Sequence, residues 1–198
     1  MGSKSKGGSF ENEVAKILSL WYSQGSRDDL FMRSQSSGAR FTQRKKKGKD
    51  TAYQGGDITF SDPLGEPLIK RWNIEAKTGY SGRKKINIGN ENEIKIEMRR
   101  WDVLDFIDSK QKEPVLLKMW NQCTRDADLT DREPILIFRR NNRSPCIAMD
   151  IDYEAKLIGW YGCLNDVRLS LDYELYHIRI MPIKDFFAWI PDISLALK

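Results

Sequence analysis

Residues Trp72 to Lys77 constrain the fold of this chain more than any other stretch. Trp72, Ile74 and Ala76 alternate with Asn73, Glu75 and Lys77, and a two-residue period is that of a β-strand, with the first three side chains on one face and the last three on the other. The apolar face must be buried, so the opposite face presents a carboxylate and an ammonium from a fixed place on a sheet. Ahead of it stands a second extended candidate, Asp57-Ile58-Thr59-Phe60, preceded by Gly55-Gly56. The turn-rich stretch from Ser61 to Pro67 lies between this segment and Leu68 to Lys77, and the spacing predicts two strands joined by a short loop.

Upstream, Phe10, Val14, Ile17, Leu18 and Trp21 recur at helical spacing behind Ser9. Ser9 is a good helix cap, and it places Glu11 and Glu13 in a first turn near the positive end of the helix dipole. Gly25 to Asp29 ends that helix, and Leu30 to Arg33 is extended. Downstream, Gly79 to Gly89 reads as a polar connection, Ile94 to Ile107 as a helix, and Val115 to Cys123 as another that starts behind Pro114. Pro134 to Arg139, Pro145 to Ile151, Leu157 to Tyr161 and Tyr173 to Met181 read as strands, and Lys184 to Trp189 as a short final helix. Helix, strands, helices and strands in that order predict a single mixed α/β domain.

Composition excludes several alternatives. At 198 residues, 40% of them apolar, the chain can bury a sizeable core without a staple. Cys123, Cys146 and Cys163 are odd in number and contain no C-x-x-C pair, which argues against disulfides and zinc and for a reducing, intracellular compartment. They read as small apolar residues. His177 is the only histidine; it falls in an alternating strand and reads as structural, so hydrolysis would rest on carboxylates and lysine. The longest apolar run, Phe186 to Ile190, is too short to span a bilayer, and Met1 to Ser9 lacks the apolar stretch of a signal peptide.

Charge is blocked along the chain. Arg33, Arg40, Arg44, Lys45, Lys46, Lys47 and Lys49 fall in a stretch without a single acid, and Arg83, Lys84 and Lys85 lie in a second basic region. The net charge is +5, all of it from the N-terminal half, since residues 101–198 are net acidic. Such a distribution suits a polyanionic partner. Trp21, Trp72 and Trp101 fall at apolar phases and read as core, whereas Tyr53 and Tyr80, in polar loops, are the better candidates for stacking on DNA.

Asp57, Glu75 and Lys77 carry the residue types that phosphodiester hydrolysis with Mg²⁺ requires. Hard cations prefer carboxylate oxygen, and Mg²⁺ is commonly held by one or two carboxylates with water and phosphate, Mn²⁺ serving as its substitute. Asp57 and Glu75 supply those ligands, Glu11 on the first helix is placed to complete the set, and Lys77 shares the face of Glu75 to orient water or offset negative charge. The tripeptide E-x-K also occurs at Glu93-Ile94-Lys95 and Glu154-Ala155-Lys156. Only the first copy follows an Asp-headed strand and a glycine pair that permits close approach.

Lys6-Gly7-Gly8-Ser9-Phe10-Glu11, the loop Arg33 to Gly38, Gly56-Asp57-Ile58 and Ile74-Glu75-Ala76-Lys77 together resemble the PD-(D/E)XK nuclease superfamily, nearest to the archaeal-type Holliday junction resolvases and their phage relatives. The resemblance covers roughly residues 6–77. It implies a restriction-endonuclease-like αβββαβ core, a central mixed sheet flanked by helices, over residues 1–151, with residues 152–198 as extra C-terminal strands packed on the same domain. It also implies a Mg²⁺-dependent endonuclease acting on branched or duplex DNA as a homodimer, working in the host cytoplasm if phage-encoded. Glu11, Asp57 and Glu75 become metal ligands, Lys77 the catalytic lysine, and Arg33 with Ser36 or Ser37 phosphate-side residues. Gly56 stands where the family usually has proline.

A structure-selective junction resolvase is therefore the leading expectation. A site-specific or processing nuclease, or a non-catalytic DNA-binding module on the same core, are the alternatives. The cationic stretch gives a test that depends on charge alone. Replacing Lys45, Lys46 and Lys47 with Ala should weaken binding to every DNA of similar charge and flatten the plot of log K against log salt by about 0.9 for each duplex phosphate no longer neutralised. Junction-over-duplex preference should change less, since phosphate contacts position rather than discriminate; wild-type affinity and slope in the triple variant would make the run a solvated surface feature.

Overall fold

Along the strand Glu133–Arg139, Ile135 and Ile137 pack into one apolar cluster while Leu136 and Phe138 pack into another. A sheet buried on both faces follows from that alternation. The structure, a computed structural model, describes residues 3–34, 55–79, 83–87, 94–98, 114–140, 142–164 and 167–197. Its elements are α1 (Ser3–Tyr22), β1 (Phe31–Arg33), β2 (Ile58–Phe60), a 3-10 turn (Pro63–Gly65), α2 (Glu66–Arg71), β3 (Trp72–Thr78), β4 (Arg83–Asn87), β5 (Ile94–Met98), α3 (Val115–Asp128), β6 (Glu133–Arg139), β7 (Cys146–Asp150), α4 (Ile151–Tyr161), β8 (Leu169–Tyr173), β9 (Tyr176–Pro182), α5 (Ile183–Trp189) and a last 3-10 turn (Ser194–Leu197).

Five strands form the central sheet in the order β3-β6-β7-β9-β8. β3 and β6 are parallel, with Glu75 opposite Leu136 and Lys77 opposite Phe138, and the remaining neighbours are antiparallel. One face packs Ile74, Ala76, Ile135, Ile137, Ile147 and Met149 against Phe10, Val14 and Leu18 of α1, Tyr153 and Leu157 of α4 and Phe186 of α5. The other packs Leu136, Phe138, Ala148, Ile178 and Ile180 against Leu117, Trp120 and Cys123 of α3. β1 and β2 form a small antiparallel pair beside β3, and β4 with β5 another. Among the described residues no helix is long and apolar enough to cross a membrane.

Aromatic rings lock α1 and α5 to the root of β3. Trp21 stacks on Trp72 at 5.8 Å and on Phe187 at 4.7 Å between ring centroids, and its indole N–H donates to the Ile190 carbonyl at 2.7 Å. The indole N–H of Trp72 donates to the Tyr153 hydroxyl at 2.6 Å, both side chains being fully buried. Trp21 and Trp72 are thus core, as their apolar phase predicts. Trp101, Tyr53 and Tyr80 lie outside the described residues, as do Ser36, Ser37, Arg40, Arg44, Lys45, Lys46, Lys47 and Lys49.

Several local expectations are corrected. α1 begins at Ser3, so Ser9 lies inside it rather than capping it, and Glu11 and Glu13 are mid-helix; tertiary packing of the Phe10–Trp21 face carries the helix through Gly7-Gly8. β2 and β3 are not a hairpin. Leu68 to Arg71 is helical, because Pro67 suits a helix start and Glu66 and Lys70-Arg71 match the dipole at opposite ends of α2. Within Gly79 to Gly89 the chain forms β4, and Ile94 to Met98 is its antiparallel partner β5 rather than a helix, the alternation of Ile94, Ile96 and Met98 being the missed period of two. Residues 99–107 lie outside the described ones.

Leu157 to Tyr161 ends α4 rather than forming a strand. Asp150 accepts the Asp152 N–H at 2.8 Å as its cap, and Tyr153 and Leu157, one turn apart, are both buried. Tyr173 to Met181 splits into the hairpin of β8 and β9, turned at Glu174 with φ 52°. His177 there pairs with Asp172 at 2.8 Å on the surface. The apolar reading of the cysteines holds for Cys123; Cys146 is half-buried and Cys163 exposed.

The Trp72–Tyr153 bond yields a stability prediction. Tyr153→Phe leaves a buried indole donor without its acceptor and should cost about 1–3 kcal/mol, read as a fall in the urea midpoint with an unchanged slope.

Candidate active site

β3 is an edge strand of the central sheet, and Asp57 occupies part of its free side. The Asp57 N–H donates to the Ile74 carbonyl at 2.8 Å, and Asp57 Oδ2 accepts the Ala76 N–H at 3.0 Å. Main chain and carboxylate thus bracket Glu75. The other end of the bracket is β1, whose next residue, Ser34, donates its N–H to the Asp57 carbonyl at 2.8 Å.

The close approach depends on Gly56. Its φ is +85°, and a Cβ there would sit 2.7 Å from the Ile74 carbonyl oxygen. Proline cannot adopt that φ, which accounts for glycine at this position. Arg132, buried at the start of β6, fastens the same turn. Its guanidinium donates to the carbonyls of Gly55 (3.0 Å), Ile69 (3.0 Å) and Trp72 (3.2 Å), to Asn73 Oδ1 (3.0 Å) and to Thr130 Oγ1 (2.9 Å).

Lys77 joins the carboxylates. Its ammonium donates to Asp57 Oδ2 at 3.2 Å and to Glu75 Oε1, and Gln122 of α3 donates its amide to the same Glu75 oxygen. Glu75 is almost fully buried, and burial, with the charge of Asp57 added, pushes its carboxyl up to about 7 against the pull of Lys77. Burial alone would lower Lys77, but Asp57 and Glu75 outweigh it and hold the ammonium above its ordinary range. Glu11 of α1 is raised by burial and by nearby Asp57, an effect partly offset by Arg33, with which it forms an ion pair, and by Lys77.

The structure therefore brings Asp57, Glu75 and Lys77 into contact, with Glu11 near enough to feel the charges of Asp57 and Lys77 and paired with Arg33 at the margin. Arg83, Lys84 and Lys85 fall in β4. Gln122, Asp126, Asn73 and Arg132 are additions that the sequence did not disclose. Asn73 precedes Glu75 by one strand period, and Asp126, one turn after Gln122, lies near enough to raise Glu75 further. Cys123 is buried beside Asn73, and burial pushes its thiol far up, out of the reactive range.

An all-oxygen donor set with a cation at its focus has the chemistry of a hard-cation site. Among the described residues no three His, Cys, Asp or Glu side chains stand close enough to hold a metal ion as they are arranged. Instead the Lys77 ammonium lies where Asp57 and Glu75 converge, and the Arg33 guanidinium lies on Glu11.

A mixed sheet flanked by helices, with Asp57 braced on a strand that carries Glu75-Ala76-Lys77, defines an α/β protein of the restriction-endonuclease-like, PD-(D/E)XK class. The chain belongs to the family described as "Phage putative PDDEXK endonuclease", whose model matches residues 2–161. No curated protein and no solved structure matches it. Membership makes it a nuclease-family protein with DNA as its substrate class.

The glycine turn is testable against a built-in control. Gly56→Ala should cost about 1–2 kcal/mol for its left-handed backbone and more for the clash with Ile74. Gly25→Ala, at φ +84° with nothing within 4 Å of its Cβ, should show the backbone cost only. Equal losses in urea denaturation would mean that close packing on β3 is not what requires glycine at 56.

Proposed function

We propose that the chain is a divalent-cation-dependent DNA endonuclease in which Asp57 and Glu75, with Glu11, hold Mg²⁺ or Mn²⁺, and Lys77 is the catalytic lysine. The observation that carries this reading is the convergence of Asp57 Oδ2 and Glu75 Oε1 on one ammonium. Two buried carboxylates whose charges repel each other, one of them raised to about 7, gain most from a cation. When bound, the ion would polarise the scissile phosphate and lower the pKa of an attacking water.

The chain's own residues supply the rest. Asp57 and Glu75 are fixed by the edge of β3, Gln122 orients Glu75, and Lys77 offsets the charge that grows on the phosphate. Arg33 and the cationic run through Lys49, including Ser36, Ser37, Arg40, Arg44, Lys45, Lys46 and Lys47, would engage the phosphates flanking the cut, and Arg83, Lys84 and Lys85 would extend that surface. Branched DNA of the four-way-junction kind, cut by a homodimer, is the substrate to which the resolvase resemblance points. A panel of junction, flap, duplex and single-stranded DNA, with Mg²⁺ or with EDTA, tests it.

Asp57→Asn and Glu75→Gln should each lower cleavage by roughly 10²-fold or more and leave DNA affinity nearly intact, because each removes a carboxylate charge and leaves the DNA-binding cations in place. Lys77→Ala should reduce turnover more than affinity. Full activity in either carboxylate variant overturns the site, and loss of affinity alone would make Lys77 a binding residue.

A further inference from the structure

The carboxylates of the site are balanced by two cations of unlike standing. Lys77 is largely enclosed and serves Asp57 and Glu75 at once, its side chain 15% exposed. Among the described residues Arg33 pairs with Glu11, and its side chain is 47% exposed, whereas that of its partner is 13% exposed. The arginine side chain reaches Glu11 across Gly8, which lies one helical turn before it on α1. A Cβ at Gly8 would meet Arg33 Nη1 at 2.9 Å and Cζ at 3.5 Å. Glycine is a poor helix former, so its presence inside α1 preserves the space that the guanidinium fills.

A guanidinium fork binds carboxylate and phosphate with the same geometry. While Arg33 Nε faces Glu11 Oε2, that oxygen is turned to the guanidinium rather than to a divalent ion, and part of the arginine's charge is spent on the carboxylate. Arg33 is also the first of the cations in the acid-free run to Lys49, and its side chain is the more exposed of the two that face the carboxylates.

We propose that Arg33 is an exchangeable internal counter-ion: DNA phosphate draws it from Glu11, Glu11 then turns to the divalent cation, and the two ligands bind with positive coupling through this one ion pair. The inference rests on the reading of Glu11, Asp57 and Glu75 as a cation site. Linkage makes the coupling reciprocal, so it is visible in metal affinity without turnover. Lys77 does not play this part toward DNA, because drawing it out to a phosphate, with no divalent cation to take its place, would uncover two buried carboxylates at once.

The test is Mn²⁺ binding to the full chain by calorimetry, alone and with a cleavage-resistant phosphorothioate duplex. Arg33→Ala and Gly8→Ala should each bind Mn²⁺ about fivefold or more tightly than wild type without DNA, a typical allosteric coupling. Both should lose most of the further tightening that DNA gives the wild type. Gly8→Ala displaces the guanidinium while improving the helix, so its melting temperature should equal or exceed that of wild type, which separates the effect from damage to the fold. Unchanged or weaker Mn²⁺ binding in both variants, or coupling to DNA that survives in them, overturns the exchange alone, provided that Asp57→Asn loses Mn²⁺. A wild-type chain that takes up no Mn²⁺, or Asp57→Asn that takes it up unchanged, overturns the cation site and the exchange with it.

Discussion

The outer edge of β3 needs hydrogen-bond partners, and the site follows from how they are supplied. An edge strand buried on both faces presents backbone groups that water cannot easily satisfy. Asp57 meets two of them, giving its N–H to Ile74 and its carboxylate to Ala76. Those two groups flank Glu75, so one act of backbone satisfaction fixes the spacing between two carboxylates from distant parts of the chain. The same Asp57 oxygen then reaches Lys77. Stability and chemistry here share one atom, Asp57 Oδ2.

The parallel pairing of β3 with β6 explains what covers the site. Parallel neighbours need a long crossover, and here it includes α3, which packs on the face of the sheet that carries Asn73 and Glu75. Its Gln122 and Cys123 reach Glu75 and Asn73 respectively. Where the crossover ends, Arg132 turns back to hold Gly55, Ile69, Trp72 and Asn73. A single connection thus roofs Glu75 at one end and, at the other, fastens the turn that delivers Asp57.

Legibility in the sequence follows the range of the forces involved. Alternation in Trp72–Lys77 is a local property, and it places Glu75 and Lys77 on a common face that the structure reproduces. Helical spacing from Phe10 to Trp21 likewise locates α1, although not its start, because capping by Ser9 is a weaker influence than packing along the whole helix. Ile94 to Met98 misleads because a short apolar segment fits either period until a partner strand chooses, and β4 is that partner. Asp57 is legible by type, but the pairing of its strand with β3 that the spacing suggests does not form: one residue at a strand end meets β3, with α2 intervening. Gln122 and Arg132 leave no local signal at all. Which face of α3 meets β3 is decided by the crossover, and an arginine bonded largely to backbone carbonyls resembles any surface arginine in a sequence.

The electrostatics divide the site into a rigid part and an adjustable part. Asp57 and Glu75 share the single ammonium of Lys77, and removing that charge would leave two buried carboxylates uncompensated, which is strongly unfavourable. Glu11 and Arg33 lie on α1 and β1, elements joined to β3 by packing rather than by its ladder. A half-exposed guanidinium loses little by trading a carboxylate for a phosphate, because water and the new anion share the compensation. Three carboxylates with two internal cations therefore form a site balanced enough to fold without a ligand. Among the described residues it remains one charge short, and of its two cations Arg33 is the more exposed, so on the proposed reading it is the one for which DNA phosphate would compete.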